Sequence, residues 1–146
     1  GRSCVAPEYR GGTAMFHLWQ ALARYVQAHE IDIMFGVASF HGTDANALAQ
    51  PLSFLHHKHL APRELRVRAC AEQYQPLDLI EEARIDRVEA MRLMPPLIKA
   101  YLRLGGYVGD GAFIDHKFNT LDICLIMDTL AMNNELKSFY SRGVSV

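Results

Sequence analysis

Three groups of residues in this chain have the types and spacing to do chemistry. Arg10-Gly11-Gly12-Thr13 follows an extended run through Val5-Ala6-Pro7 and precedes an apolar-periodic stretch. Pro7 cannot donate to a ladder, and paired glycines can take φ > 0, so successive backbone N–H groups can point into one concavity. With a helix amino terminus behind it and Arg10 at its lip, such a loop suits a phosphate or pyrophosphate, although a Gly-Gly pair there also serves as a plain turn. Ser39-Phe40-His41-Gly42 closes a second apolar run and brings a hydroxyl and an imidazole to the carboxyl end of a strand. His56-His57-Lys58-His59 could ligate a metal, but only His56 and His59 stand at i, i+3, and no acidic or cysteine ligand lies close in sequence. A solvated cationic helix end is the simpler reading, and no metal site is expected.

The elements that must position these groups follow from periodicity. Met15, Leu18, Trp19, Leu22, Tyr25 and Val26 recur at three- and four-residue steps through His29, which predicts an amphipathic helix. Ile31 to Ser39 is apolar and β-branched, the pattern of a strand covered on both faces. Strand, glycine loop, helix and strand in that order predict a βαβ unit with a parallel pair, whose active site would form where Pro7–Thr13 and Ser39–Gly42 face each other. Thr43-Asp44 offers a cap for a helix from Ala45 to about His59, bent or restarted at Pro51. Between Pro62 and Pro76 a short strand is expected at Leu65–Ala69. A helical region over Glu81–Leu104 breaks at Pro95-Pro96 and ends at Gly105-Gly106. Tyr107–Ile114 and Leu121–Asp128 read as a hairpin joined by the polar turn Asp115–Thr120, and Met132–Glu135 as a short helix in a polar tail.

With 146 residues, 50% hydrophobic and 21% charged, the chain can bury a core of its own. No repeat or linker divides residues 1–146, so one domain is expected. Because the glycine loop follows so soon after Gly1, that domain is expected to be partial and to lack an N-terminal portion. A formal net charge of -1 argues against general nucleic-acid binding, which needs a basic surface. No apolar run approaches the roughly 18–20 residues of a membrane span and no signal segment opens the chain, so a cytoplasmic protein is expected. The three cysteines, Cys4, Cys70 and Cys124, form no CxxC pair and suggest no disulfide framework. Positive charge gathers at Arg63, Arg66 and Arg68 and again at Arg84, Arg87 and Arg92. These are either solvated faces or a docking surface for an acidic protein or an anionic membrane.

The strand ending in V-x-P-E-Y-R-G-G, the helix after it and the next strand resemble the cofactor-binding core of the GNAT superfamily of N-acetyltransferases. In that superfamily the loop binds the pyrophosphate of acetyl-CoA or the phosphopantetheine arm of an acyl carrier. The usual signature, R/Q-x-x-G-x-G/A, is altered here: from Arg10 the chain reads Arg-Gly-Gly-Thr-Ala-Met, with Thr13 and Met15 in the usual small positions. A closer resemblance spans nearly the whole chain. GRSCV-x-PEYRGG, FG-x-ASFHGTD, ALAQPLS-x-LHH, LAP-x-ELRVRA, PPLIKAYLRLGG and GDGAFIDHKFNT-x-D together resemble the ornithine N-acyltransferases of ornithine-lipid synthesis, also called hemolysin-like proteins.

This resemblance implies an α/β, GNAT-like mixed sheet flanked by helices and lacking its N-terminal strands. The activity it implies moves a 3-hydroxyacyl chain from acyl carrier protein to the α-amine of ornithine, giving a lyso-ornithine lipid. No tightly bound cofactor is implied; the donor is acyl-phosphopantetheine, on acyl carrier protein or CoA. Arg10, Gly11, Gly12 and Thr13 would hold its phosphate, and backbone donors near Cys4, Val5 and Ala6 would polarise the thioester carbonyl. An ornithine amine is mostly protonated near neutral pH, so a base must take its proton; His41 ranks first and Glu8 second. Ser39, Asp110, Asp115 and His116 would contact the amino acid, the last three against a plainer reading as hairpin-turn chemistry. The acidic carrier would dock on Arg63, Arg66, Arg68, Arg84, Arg87 and Arg92. Peripheral contact with the inner face of the bacterial cytoplasmic membrane is a further expectation. The alternatives are another N-acyl amino acid or acyl-homoserine-lactone-like synthase, and a non-catalytic membrane-active protein. The second is disfavoured, since no spanning segment and no unpartnered basic amphipathic helix is read.

Overall fold

The computed structural model describes residues 5–11 and 13–131. Cys4, Gly12 and the helix expected at Met132–Glu135 lie outside the described residues. The sheet is built on a hairpin of β3 (Tyr107–Asp115) and β4 (Thr120–Asp128), each one residue longer at the turn than the hydrophobic pattern predicts. The turn closes because Asp115 Oδ1 accepts the Phe118 N–H at 2.9 Å and Asn119 takes a left-handed φ of 54°, a conformation asparagine tolerates. β1 (Ile33–His41) pairs with β4 along its full length, from Ile33 opposite Asp128 to His41 opposite Thr120. The short β2 (Tyr74–Gln75) borders β3, giving the order β1-β4-β3-β2 with every neighbour antiparallel.

This topology corrects the parallel pair expected from the sequence. Val5 and Ala6 form no strand; they lead directly into a 3-10 turn, Pro7–Tyr9. Among the described residues β1 has β4 as its one neighbour, so it is an edge strand. Its faces are therefore unequal. Ala38 and Phe40 are buried, whereas Phe35 and Val37 are 78% and 71% exposed, so a run that reads as covered on both faces is covered on one. The strand expected at Leu65–Ala69 is reduced to an isolated bridge between Arg68 and Asp110.

Helix α1 (Ala14–Ala28) forms as expected and sets Trp19 against Tyr101, with ring centroids 4.9 Å apart. Helix α2 (Ala49–His59) starts later than expected, because residues 45–48 wind as a turn in which Asp44 accepts the N–H groups of Asn46 and Ala47. Pro51 thus falls in the first turn of α2, where its missing N–H leaves no bond unmade and bends nothing. The third helical region divides at Pro95-Pro96 into α3 (Arg87–Leu93) and α4 (Pro96–Arg103). Asp86 caps α3 by accepting from Val88 and Glu89. Gly105, at φ 88°, closes α4 by donating to the Leu102 carbonyl while Gly106 donates to that of Tyr101.

One sheet face carries the core. Leu52 and Leu55 of α2, with Ala90 of α3, Met94 just after it and Ile98 of α4, pack on Phe40, Val108, Leu121 and Ile123. Each such large side chain contributes about 1.5–3 kcal/mol on burial. Ser53, fully buried in α2, accepts the N–H groups of Leu79 and Ile80 and donates to the Leu77 carbonyl, fastening the 77–80 loop to the helix.

Candidate active site

Side chains alternate along a strand, so the odd-numbered residues of β1 stand on the face away from the core, beside the even-numbered residues of β4. Register arranges them in rows. At the hairpin end Asp115, Thr120 and His41 stand abreast on β3, β4 and β1, and in the next row stand Phe113, Asp122 and Ser39. Cβ atoms of directly opposite residues are about 4.5–5.5 Å apart. Farther from the hairpin the face turns apolar, with Cys124 opposite Val37 and then Tyr107, Ile126 and Phe35 in line. His41 and Ser39 are exposed. The end of β1 is tied to the hairpin turn by Gly42, which at φ 94° donates to the Asn119 carbonyl at 2.8 Å.

Thr120 Oγ1 and Asp122 Oδ1 are shut off from solvent and have no hydrogen-bond partner. Neither residue was singled out from the sequence. Their signal was the period-two spacing of the T-x-D that ends the GDGAFIDHKFNT-x-D block, which puts both on one strand face. Of the four residues expected to contact the amino acid, Ser39 and Asp115 share this face with His41, although one Asp115 oxygen is spent on the turn. His116 is exposed on the turn itself. Asp110 belongs to a separate network at the irregularity of β3: it accepts the Tyr74 hydroxyl at 2.8 Å, with Arg68 3.6 Å away. Burial, and then this bond to Asp110, hold the Tyr74 pKa above its ordinary value, so the phenol stays a donor.

At the amino end Tyr9 N–H donates to the Ala6 carbonyl and Arg10 N–H to that of Pro7, while the Arg10 side chain folds back to donate to Val5 O at 2.7 Å. Glu8 is exposed in this turn. Gly11 follows at φ 80°, and Thr13 is the N-cap of α1 with no side-chain capping bond, so its hydroxyl is not spent on the helix. Among the described residues no hydrogen bond joins Pro7–Thr13 to Ser39–Gly42.

The six arginines divide by what holds them. Arg66 donates to the Ala61 carbonyl at 2.8 Å, Arg68 lies 4.5 Å over the Tyr74 ring, and Arg92 grips Glu89 through two bonds of 2.7 and 2.6 Å. Those bonds hold the Glu89 carboxyl below its ordinary pKa. Arg63, Arg84 and Arg87 are exposed and make no ion pair among the described residues. The histidine run is not simply solvated, because folding brings Asp78 to it: His57 Nε2 is 3.1 Å from Asp78 Oδ1 and 3.1 Å from the Ile80 carbonyl. Together with His56 these donors lie within 4.8 Å of one another, a set able to hold a divalent cation. The carbonyl beside His57 calls for a ring N–H, which makes the group a hydrogen-bonded clasp between α2 and the 77–80 loop. An apolar cleft of about 430 Å³, lined by Trp19, Val26, Met34, Leu104 and Met127 among others, includes none of the expected site residues. Burial pushes the Cys124 thiol up, away from nucleophilic use.

A mixed α/β arrangement, with helices on a sheet whose strand ends carry the polar groups, is compatible with a GNAT-like acyltransferase fold. The chain is 61% identical, over 99% of its length, to L-ornithine N(alpha)-acyltransferase of Rhodobacter capsulatus, and covers 55% of that protein. It is 46% identical over 96% of its length to a protein of the same name from Brucella abortus, covering 50% of it, and 42% identical over 96% to one from Agrobacterium fabrum, covering 48%. The chain is thus homologous to the ornithine acyltransferases along nearly all of its length, as its motifs indicated, and it spans about half the length of these curated relatives. No family model and no solved structure matches it. Among the described residues no helix is long and apolar enough to cross a membrane.

Proposed function

We propose that the chain is part of an N-acyltransferase that moves a 3-hydroxyacyl chain from acyl carrier protein to the α-amine of L-ornithine, giving lyso-ornithine lipid. The observation that supports this best is the open sheet face, polar at the hairpin end and apolar beyond it. An amino acid joined to an acyl chain has the same division. The name that the relatives bear supplies the amine.

In the reaction the neutral amine attacks the thioester carbonyl, a C–N bond forms, the tetrahedral oxyanion collapses, and the C–S bond breaks to release the carrier thiol. The amine's extra proton goes to a base, and His41 at the polar end takes that part, with Glu8 second. Arg10, Gly11, Gly12 and Thr13 hold the donor's phosphate at the positive end of α1, and the Val5 and Ala6 backbone polarises the carbonyl. Ser39 orients the acceptor. Positioning supplies much of the rate, because both reactants are held together. The carrier docks through the arginines; CoA bears the same arm and is the other donor such a loop admits.

The test is product mass after the full-length protein is incubated with 3-hydroxyacyl carrier protein and a mixture of free amino acids. Acylated ornithine is expected. Acylation of another amino acid moves the function to a different N-acyl amino acid synthase, and no transfer from a carrier shown to be loaded overturns the acyltransfer reading.

A further inference from the structure

We infer that Asp122 is the subsite for the side-chain ammonium of the acceptor, so that this face takes a diamino acid and leaves its α-amine at His41. The inference rests on the acyltransfer reading above. Asp122 stands on β4, the strand between β1 and β3, flanked by Ser39 on one side and Phe113 on the other. Its Oδ1 is shut off from solvent without a partner. A carboxylate oxygen left so is destabilising, and in a native structure such a group calls for an explanation, a functional role or a bound partner among them. Thr120 Oγ1, two residues away on the same strand face, is also without a partner. No lysine or arginine pairs with Asp122 among the described residues. What Oδ1 lacks is a hydrogen-bond donor, and because the residue as a whole is part-exposed, a turn of the carboxylate toward the open face offers it to an ammonium.

Position decides which ammonium. His41 is the diagonal neighbour of Asp122 across β1 and β4, and diagonal neighbours are about 7–8 Å apart. An acceptor with two amines on a flexible aliphatic spacer can reach both, with the spacer crossing between Ser39 and Thr120. The two ends then receive opposite treatment. A carboxylate keeps the amine it holds charged and unreactive, while the imidazole takes the proton from the other. Acylation at the α-nitrogen alone follows from that division.

The experiment is steady-state kinetics of the full-length protein with 3-hydroxyacyl carrier protein, comparing ornithine with norvaline, which has the same carbon chain without the second amine. Wild-type protein is expected to favour ornithine. Asp122→Asn should raise the KM for ornithine about 10- to 100-fold and leave norvaline turnover and the pH profile of kcat where they were, so that the preference collapses. Because the substitution removes an unpaired charge, its thermal midpoint without substrate should hold or rise. Thr120→Val is the second variant and should raise the KM for ornithine several-fold, again without effect on norvaline. Equal losses for both acceptors, or a shifted pH profile, would assign Asp122 to the chemistry or the fold and overturn the inference. So would a wild-type enzyme that acylates norvaline as well as it does ornithine, with acyl transfer itself left standing. A wild-type enzyme that acylates neither overturns the acyltransfer reading and this inference with it.

Discussion

His59 closes α2 with its ring 5.5 Å from that of Phe54, and burial holds its pKa below the ordinary histidine value of 6.5. Protonation is thus easier in the unfolded chain than in the folded one. As pH falls past 6.5 the unfolded state takes up the proton first, so the stability present above that pH is lost as pH falls through the lowered value. Melting curves from about pH 7.5 down to pH 5 should show this acid-side loss, and His59→Gln should flatten it; an unchanged slope would assign the loss to other groups. At this scale the sequence showed residue types but not partners. His41 and Ser39 were legible because the end of an apolar run marks them. Asp78 at His57, and the Ser53 hydroxyl under Leu79 and Ile80, were not, since the partners come from a loop far along the chain. Thr120 and Asp122 stood in a quoted motif, yet only the register with β1 makes them neighbours of His41 and Ser39.

Elements held together by local signals were legible, and those that depend on a remote partner were not. The 107–128 hairpin, the break at Pro95-Pro96 and the glycine stop after α4 come from turn chemistry within a few residues. That β1 lies antiparallel at an edge depends on β4, some eighty residues away, and periodicity carries no such information. The irregularity in β3 is the feature of this scale that most constrains the site's surroundings. Gly111 holds φ 78° there, and a Cβ would overlap the Tyr74 ring, whose hydroxyl is fixed on Asp110. Gly111→Ala should therefore cost about 2–4 kcal/mol in urea unfolding, from overpacking and a left-handed alanine together. Made in a Tyr74→Ala background, the same change should cost only about 1–2 kcal/mol, the backbone part alone. Equal costs in both backgrounds would mean that the ring is not what the glycine makes room for.

For the molecule as a whole, the proposed carrier is a macromolecule with an acidic surface, and charge on this chain is what would recognise it. Six arginines were candidates for holding an acidic carrier, and folding sorts them. Arg66, Arg68 and Arg92 are already bonded within the chain, so reversing their charge would disturb the 61–69 segment, the Tyr74–Asp110 network or α3 as well as any docking. Arg63, Arg84 and Arg87 are exposed and make no ion pair among the described residues, so their charges are available to a partner. Replacing these three by glutamate in the full-length protein should raise the KM for acyl carrier protein several-fold, more at low salt than at high, because exposed charges act through a screened field. A small acyl-pantetheine thioester carries the same reacting group without the carrier's acidic surface, and its kcat/KM should barely move. If both donors lose activity together, the arginines support the fold; if neither does, the carrier docks on another surface, and the part of the relatives' length that this chain does not span becomes the place to look.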